Sequence, residues 1–116
     1  MPASEHGDFE SPKKSAYSVE RYDSEWERQY MLQLEKDRAV AKWTKNHGIV
    51  IEFITEAGNK RGYRPDFLLE RVDGSKELHE VKGGQFLGNP DTIRKHERAK
   101  AWCRQRRMRF VVVTKK

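Results

Sequence analysis

The tetrapeptide Val72-Asp73-Gly74-Ser75 constrains this chain more than any other segment. Asp-Gly between two runs of β-forming residues is a hairpin turn, because glycine supplies the positive φ that such turns need. The run before it, residues 63–71, reads Y-R-P-D-F-L-L-E-R; the run after it, residues 76–82, reads K-E-L-H-E-V-K. Joined through that turn the two strands are antiparallel. Asp66 then comes near Glu80, provided the chain bends at Pro65, which has no N–H for a ladder. Glu80 and Lys82 are two apart on one strand and therefore share a face.

The other elements follow from periodicity and punctuation. Residues 49–54 (I-V-I-E-F-I) read as a strand, and residues 55–62, with two glycines, as a turn or long loop. Together with the hairpin they predict a three-stranded antiparallel meander. A first helix is expected from near Asp23 or Ser24 to Asn46; either residue can cap it, with Glu27 three residues after Ser24 as in a capping box, and His47-Gly48 ends it. Tyr30, Met31, Leu34 and Ala41 form its apolar stripe. Glu27 falls inside that stripe, Glu25 on the far side and Glu35 on the border. A second helix is expected over residues 91–107, with His96, Ala99 and Cys103 inward. Residues 108–114 (M-R-F-V-V-V-T) read as a last strand, central or nearly so because 110–113 is unbroken apolar. A right-handed crossover makes it parallel to the strand of Glu80. Residues 1–20 are polar, aperiodic and broken by Pro2 and Pro12, which predicts a flexible tail before a single domain at 21–116. The order is α-β-β-β-α-β, an α/β domain with a mixed central sheet flanked by helices.

Charge is distributed unevenly. The 116 residues carry 24 Lys and Arg against 18 Asp and Glu, a formal +6. Residues 91–116 hold ten basic residues against two acidic, whereas 1–90 hold fourteen against sixteen. A basic block of this kind attracts polyanions, nucleic acid first. One cysteine excludes an internal disulfide framework, and no Cys or His set has zinc spacing. No apolar run is long enough to span a membrane. The expectation is a soluble cytoplasmic protein without a membrane partner.

Asp66, Glu80 and Glu27 would bring three carboxylates to one place beside the Lys82 amine. Like charges at close range raise one another's pKa, and burial adds to the effect. A divalent cation relieves this. Mg²⁺ takes oxygen ligands, and Mn²⁺ is the natural substitute. Such an ion activates water and balances charge on a phosphate, and Lys82 can orient or deprotonate that water. This is the chemistry of phosphodiester hydrolysis. The opposing reading, a turn-capping Asp66 and a solvated Glu80/Lys82 pair, suits E-x-K alone better than the whole constellation.

The string Y-R-P-D-F-L-L at 63–69 followed by E-V-K-G at 80–83 resembles the PD-(D/E)XK nuclease superfamily, as does the element order. The resemblance implies a restriction-endonuclease-like core over residues 24–114. It implies Asp66 and Glu80 as metal ligands, Lys82 as the catalytic lysine and the Val81 carbonyl as a further ligand. It also implies a helix carboxylate completing the site, for which Glu27 is the best match and Glu25 needs an irregular first turn. Ser24-Glu25-Trp26-Glu27 is similar to the S-x-x-E of transposon-end endonucleases. Trp43-x-Lys45-Asn46 resembles restriction-type relatives, and Y-x-P-D-F-L-L with E-x-K-G resembles small phage Holliday-junction resolvases.

For holding the substrate, Lys95 and Arg98 near the start of the second helix, Lys60 and Arg61 in the glycine-rich stretch, and Gln85 after the catalytic lysine are the candidates. Contacts of this type grip phosphates with little sequence readout. The leading expectation is a Mg²⁺-dependent DNA endonuclease. One site cutting two strands implies a homodimer or a partner protein, and so small a reader suits branched DNA. The alternatives are a nuclease subunit of a restriction or transposition complex, a non-catalytic nucleic-acid-binding module of the same fold, and a basic scaffold protein in which Asp66 and Glu80 are dispensable.

Overall fold

The computed structural model describes residues 6–115. It contains eight strands and two α-helices in the order β1 (Gly7–Glu10), β2 (Val19–Tyr22), α1 (Glu25–Lys36), β3 (Val40–Thr44), β4 (Ile51–Ile54), β5 (Lys60–Tyr63), β6 (Phe67–Arg71), β7 (Lys76–Gly83), a 3₁₀ turn (Gly84–Phe86), α2 (Pro90–Gln105) and β8 (Arg109–Lys115). The central sheet runs β3-β6-β7-β8. β3, β6 and β7 are antiparallel neighbours, and β8 lies parallel to β7 through the α2 crossover. The fold is α/β with a mixed sheet, as the sequence predicts.

The Asp-Gly turn forms as expected. Arg71 N–H donates to Ser75 O at 2.8 Å, Asp73 Oδ1 accepts from the Ser75 hydroxyl and N–H, and Gly74 takes φ +89°. The register it sets pairs Phe67 with His79 and Leu68 with Leu78, which puts Asp66 opposite Glu80 just beyond the end of the ladder.

One face of the sheet packs on α1 through Tyr30, Met31, Leu34, Val40, Trp43, Phe67 and Leu69. The other packs on α2 and the β4-β5 hairpin through Ile51, Phe53, Tyr63, Leu78, Ala99 and Cys103. The inward sides expected for both helices are correct within these spans.

Four expectations are corrected. The first helix stops at Lys36 instead of Asn46. Asp37 caps its end, and the Lys14 ammonium bonds the Leu34 and Asp37 carbonyls. The β-branched and aromatic residues that follow pair with the open edge of β6, so tertiary pairing overrides the helical pattern, and Ala41 lies on a strand. Residues 60–62, expected as loop, and Tyr63, expected at the start of the second strand, form β5 against β4 in a separate two-stranded sheet, so there is no simple meander. β8 is an edge strand, not a central one. Finally, residues 7–22 are not a tail: β1 and β2 pair antiparallel, Phe9 packs edge-on against Trp43, and Glu20 is completely buried. Residues 1–5 of the expected tail lie outside the described residues. Among the described residues no helix is long and apolar enough to cross a membrane.

Candidate active site

The ends of β3, β6 and β7 and the start of α1 meet at one point. Asp66 lies in the break between β5 and β6 that Pro65 introduces, and its Oδ2 accepts from the Val81 N–H at 2.8 Å. Glu80 projects from β7, 6% exposed, and its Oε1 is buried with no hydrogen-bond partner. Burial, then the Glu80 charge, push the Asp66 carboxyl up from an ordinary 3.8 to about 8, with Glu27 adding to the rise and Lys45 opposing it. Asp66 and Glu80 are thus a close acidic pair; among the described residues neither closes an ion pair, and Lys45 and Lys95 act on them only from further away.

Glu27 is buried on α1, as expected. Its N–H donates to the Ser24 hydroxyl at 3.1 Å. Its Oε1 accepts from the Asp23 N–H at 2.9 Å and from Lys45 Nζ at 2.5 Å. The two other helix carboxylates are engaged elsewhere. Glu25 pairs with Arg28 at the surface, and Glu35 accepts from the Lys13 and Lys14 N–H groups and from Trp43 Nε1.

Lys82 and Lys95 approach each other from β7 and α2. Lys82 Nζ lies 5.7 Å from the Phe86 ring centroid, and Lys95 Nζ 5.1 Å from that of Tyr63. Desolvation, then repulsion from Lys82, lower the Lys95 pKa. Beside them opens a cleft of about 450 Å³ lined by Arg61, Arg64, Tyr63, Glu80, Asp91 and Lys95 among others. The Tyr63 hydroxyl is buried against Glu80, its side-chain hydrogen-bonding neighbour, without a bond of ordinary geometry. Burial first, then the Glu80 charge, keep that phenol protonated by raising its pKa. His96 packs between Tyr63 and Phe110, with ring centroids 6.2 and 5.3 Å away, and burial lowers it to about 4, so it is a neutral packed histidine.

Of the residues expected to hold substrate, Arg61 and Lys95 share the cleft with Glu80. Gln85 folds back against Gly83, where a Cβ would meet its Oε1 at 2.6 Å. Lys60 and Arg98 line a neighbouring groove with Glu52, Phe53 and Ile54, and Arg98 Nε donates to the Glu52 carbonyl.

Sequence reasoning missed four residues. Arg64 lines the cleft; its position beside Pro65-Asp66 was the available signal. Lys45 was assigned to a helix. His47 donates from Nε2 to the Pro65 carbonyl at 2.7 Å and accepts the Ile49 N–H at Nδ1, which fixes the neutral tautomer beside Asp66. Glu20 carries no local signal, because its partners are distant in sequence.

Among the described residues no three His, Cys, Asp or Glu side chains are grouped to hold a metal by themselves. Mg²⁺ asks for less: one or two carboxylates, with water and substrate phosphate filling the octahedron. The orphaned Glu80 oxygen and Asp66 fit that requirement as hard oxygen donors, and both nitrogens of the neighbouring His47 are already engaged by backbone groups.

The family model for the TnsA-like endonuclease N terminal matches residues 24–115. The chain belongs to this family. A TnsA-like domain lies within the PD-(D/E)XK superfamily, so of the three likenesses in the sequence the transposon-end branch is the one supported, and the domain is of the endonuclease type. No curated protein matches the chain. The matched span begins at Ser24, so the TnsA-like region takes in the acidic pair, both helices and the basic cleft but not the β1-β2 hairpin.

Proposed function

We propose that this TnsA-like domain is a Mg²⁺-dependent DNA endonuclease that hydrolyses phosphodiester bonds as the nuclease subunit of a transposition-type complex. The observation that carries the reading is the buried, unpartnered Glu80 oxygen facing a protonation-prone Asp66 at the mouth of a basic cleft. A protein that only bound nucleic acid would need the cleft but would gain nothing from an unpaired buried carboxylate, which costs stability.

Asp66 and Glu80, with the Val81 carbonyl, would hold the divalent ion. When bound, the ion supplies a more acidic water and neutralises charge on the phosphate. Arg61, Arg64 and Lys95 receive the phosphate backbone. Lys82, on the face of Glu80, holds a proton next to the scissile group and stabilises the negative charge that develops there. A single site on a small domain cuts one strand at a time, so cleavage of both strands requires a second copy or a partner nuclease.

The test is cleavage of labelled duplex DNA with Mg²⁺ and with EDTA. Cutting that needs Mg²⁺ and falls about a hundredfold or more in kcat for Lys82→Ala supports the reading, in line with loss of a proton-handling group. Metal-independent binding with no cutting, with or without a partner nuclease, refutes it. Lys95→Ala is expected to weaken binding to all duplex sequences alike and to reduce the salt slope by about one counterion, read from binding isotherms at several salt concentrations.

A further inference from the structure

Glu27 lies beside the acidic pair but is already neutralised from within the chain. Lys45 Nζ sits 2.5 Å from Glu27 Oε1 and 3.0 Å from Asp23 Oδ2. The side chains of Lys45 and Glu27 are only 14% and 10% exposed, and the ammonium also lies 5.8 Å from the Phe67 ring centroid. This is no surface ion pair. The backbone that carries it is fixed too, because the Lys45 N–H donates to the buried Glu20 carboxylate at 3.0 Å. Asp66 feels Glu27 and Lys45 with opposite signs, so the ammonium belongs to the same electrostatic cluster.

We infer that Lys45 is a positioning residue that serves as the built-in cation for Glu27, so that the site takes one divalent ion per chain, on Asp66 and Glu80, with Glu27 outside its coordination shell. This rests on the metal-dependent reading above. A second ion between Glu27 and Asp66 would have to displace an ammonium held by two carboxylates and a clamped backbone. Glu27 then acts through Lys45: it holds a fixed positive charge near Asp66 and limits the negative charge that the bound ion must offset.

The experiment is Mn²⁺ titration of the purified full chain, read by loss of the free-ion electron paramagnetic resonance signal and by calorimetry. The wild type is expected to bind one ion, Asp66→Asn none, and Lys45→Arg and Glu27→Gln still one. Lys45→Met, which uncovers Glu27 without adding charge, is expected to bind two. Thermal melting of each variant shows which are folded, and if Lys45→Met is not, the wild-type count and Glu27→Gln still decide. Two ions in the wild type, or none in folded Glu27→Gln, overturn the inference and leave the metal-dependent reading standing. No ion in the wild type overturns both.

Discussion

Asp66→Asn is expected to lower Mg²⁺-dependent cleavage by about three orders of magnitude and, in the same protein, to raise the melting temperature of the metal-free chain at pH 8. The first effect follows from removing a proposed anionic ligand, since several kcal/mol of transition-state stabilisation would depend on the ion it would hold. The second follows from proton linkage. The folded chain raises the Asp66 carboxyl from 3.8 to about 8 through burial and the Glu80 charge. A raised acid favours the folded state while protonated, so its contribution is complete below pH 3.8 and is lost as pH climbs through about 8. Asparagine cannot ionise and avoids that loss. Melting curves of both proteins should diverge most at pH 8, lie closer at pH 5 and converge only below pH 3.8. Mg²⁺ should restore stability to the wild type and leave the variant unmoved, because only the wild type binds it. A variant that melts lower than the wild type at pH 8 without metal would contradict the assignment.

Glu20→Ala should cost about 3 kcal/mol, a loss of the size expected when a buried charged hub is deleted and its donors are stranded. Glu20 is wholly buried and accepts from the Ser15 hydroxyl at 2.5 Å, the Thr44 hydroxyl at 2.6 Å, the Lys45 N–H at 3.0 Å and Asn46 Nδ2 at 3.1 Å. Urea denaturation should show a lower midpoint at an unchanged slope. Glu20→Gln keeps the shape and one carbonyl acceptor but offers two N–H donors to a site built of donors, so it should fall between the two. An alanine variant as stable as the wild type would mean that β1-β2 is only loosely attached.

These two residues mark what local sequence could and could not disclose. Asp66 was legible because its partner is reached through one tight turn: Asp73-Gly74 fixes the register, and the register fixes the pair. The inward side of α2 was legible for the same local reason, as His96, Ala99 and Cys103 recur at helical spacing. Trp43 and Lys45 were not. Their stretch carries enough helical character to extend α1 on paper, and only the unfilled edge of β6 makes it a strand. Glu20 was least legible of all. A carboxylate in a polar stretch signals solvent, and its burial depends on donors 24 to 26 residues further along. β8 was read as central from its apolar run, but Val111, Val112 and Val113 are only half-buried at the sheet edge. Periodicity reports faces well; it does not report which strand ends a sheet.

The β1-β2 hairpin also bears on how this domain can be dissected. The TnsA-like match begins at Ser24, and a fragment cut there would keep Glu27, Asp66, Glu80 and Lys82. It would nevertheless lose the carboxylate under Lys45 and the Lys14 ammonium over the end of α1, exposing one face of Trp43 as Phe9 departs. Such a fragment retains the proposed site residues while shedding part of the scaffold that holds them. The working boundary of this unit therefore lies at the hairpin, upstream of the point where recognisable kinship begins.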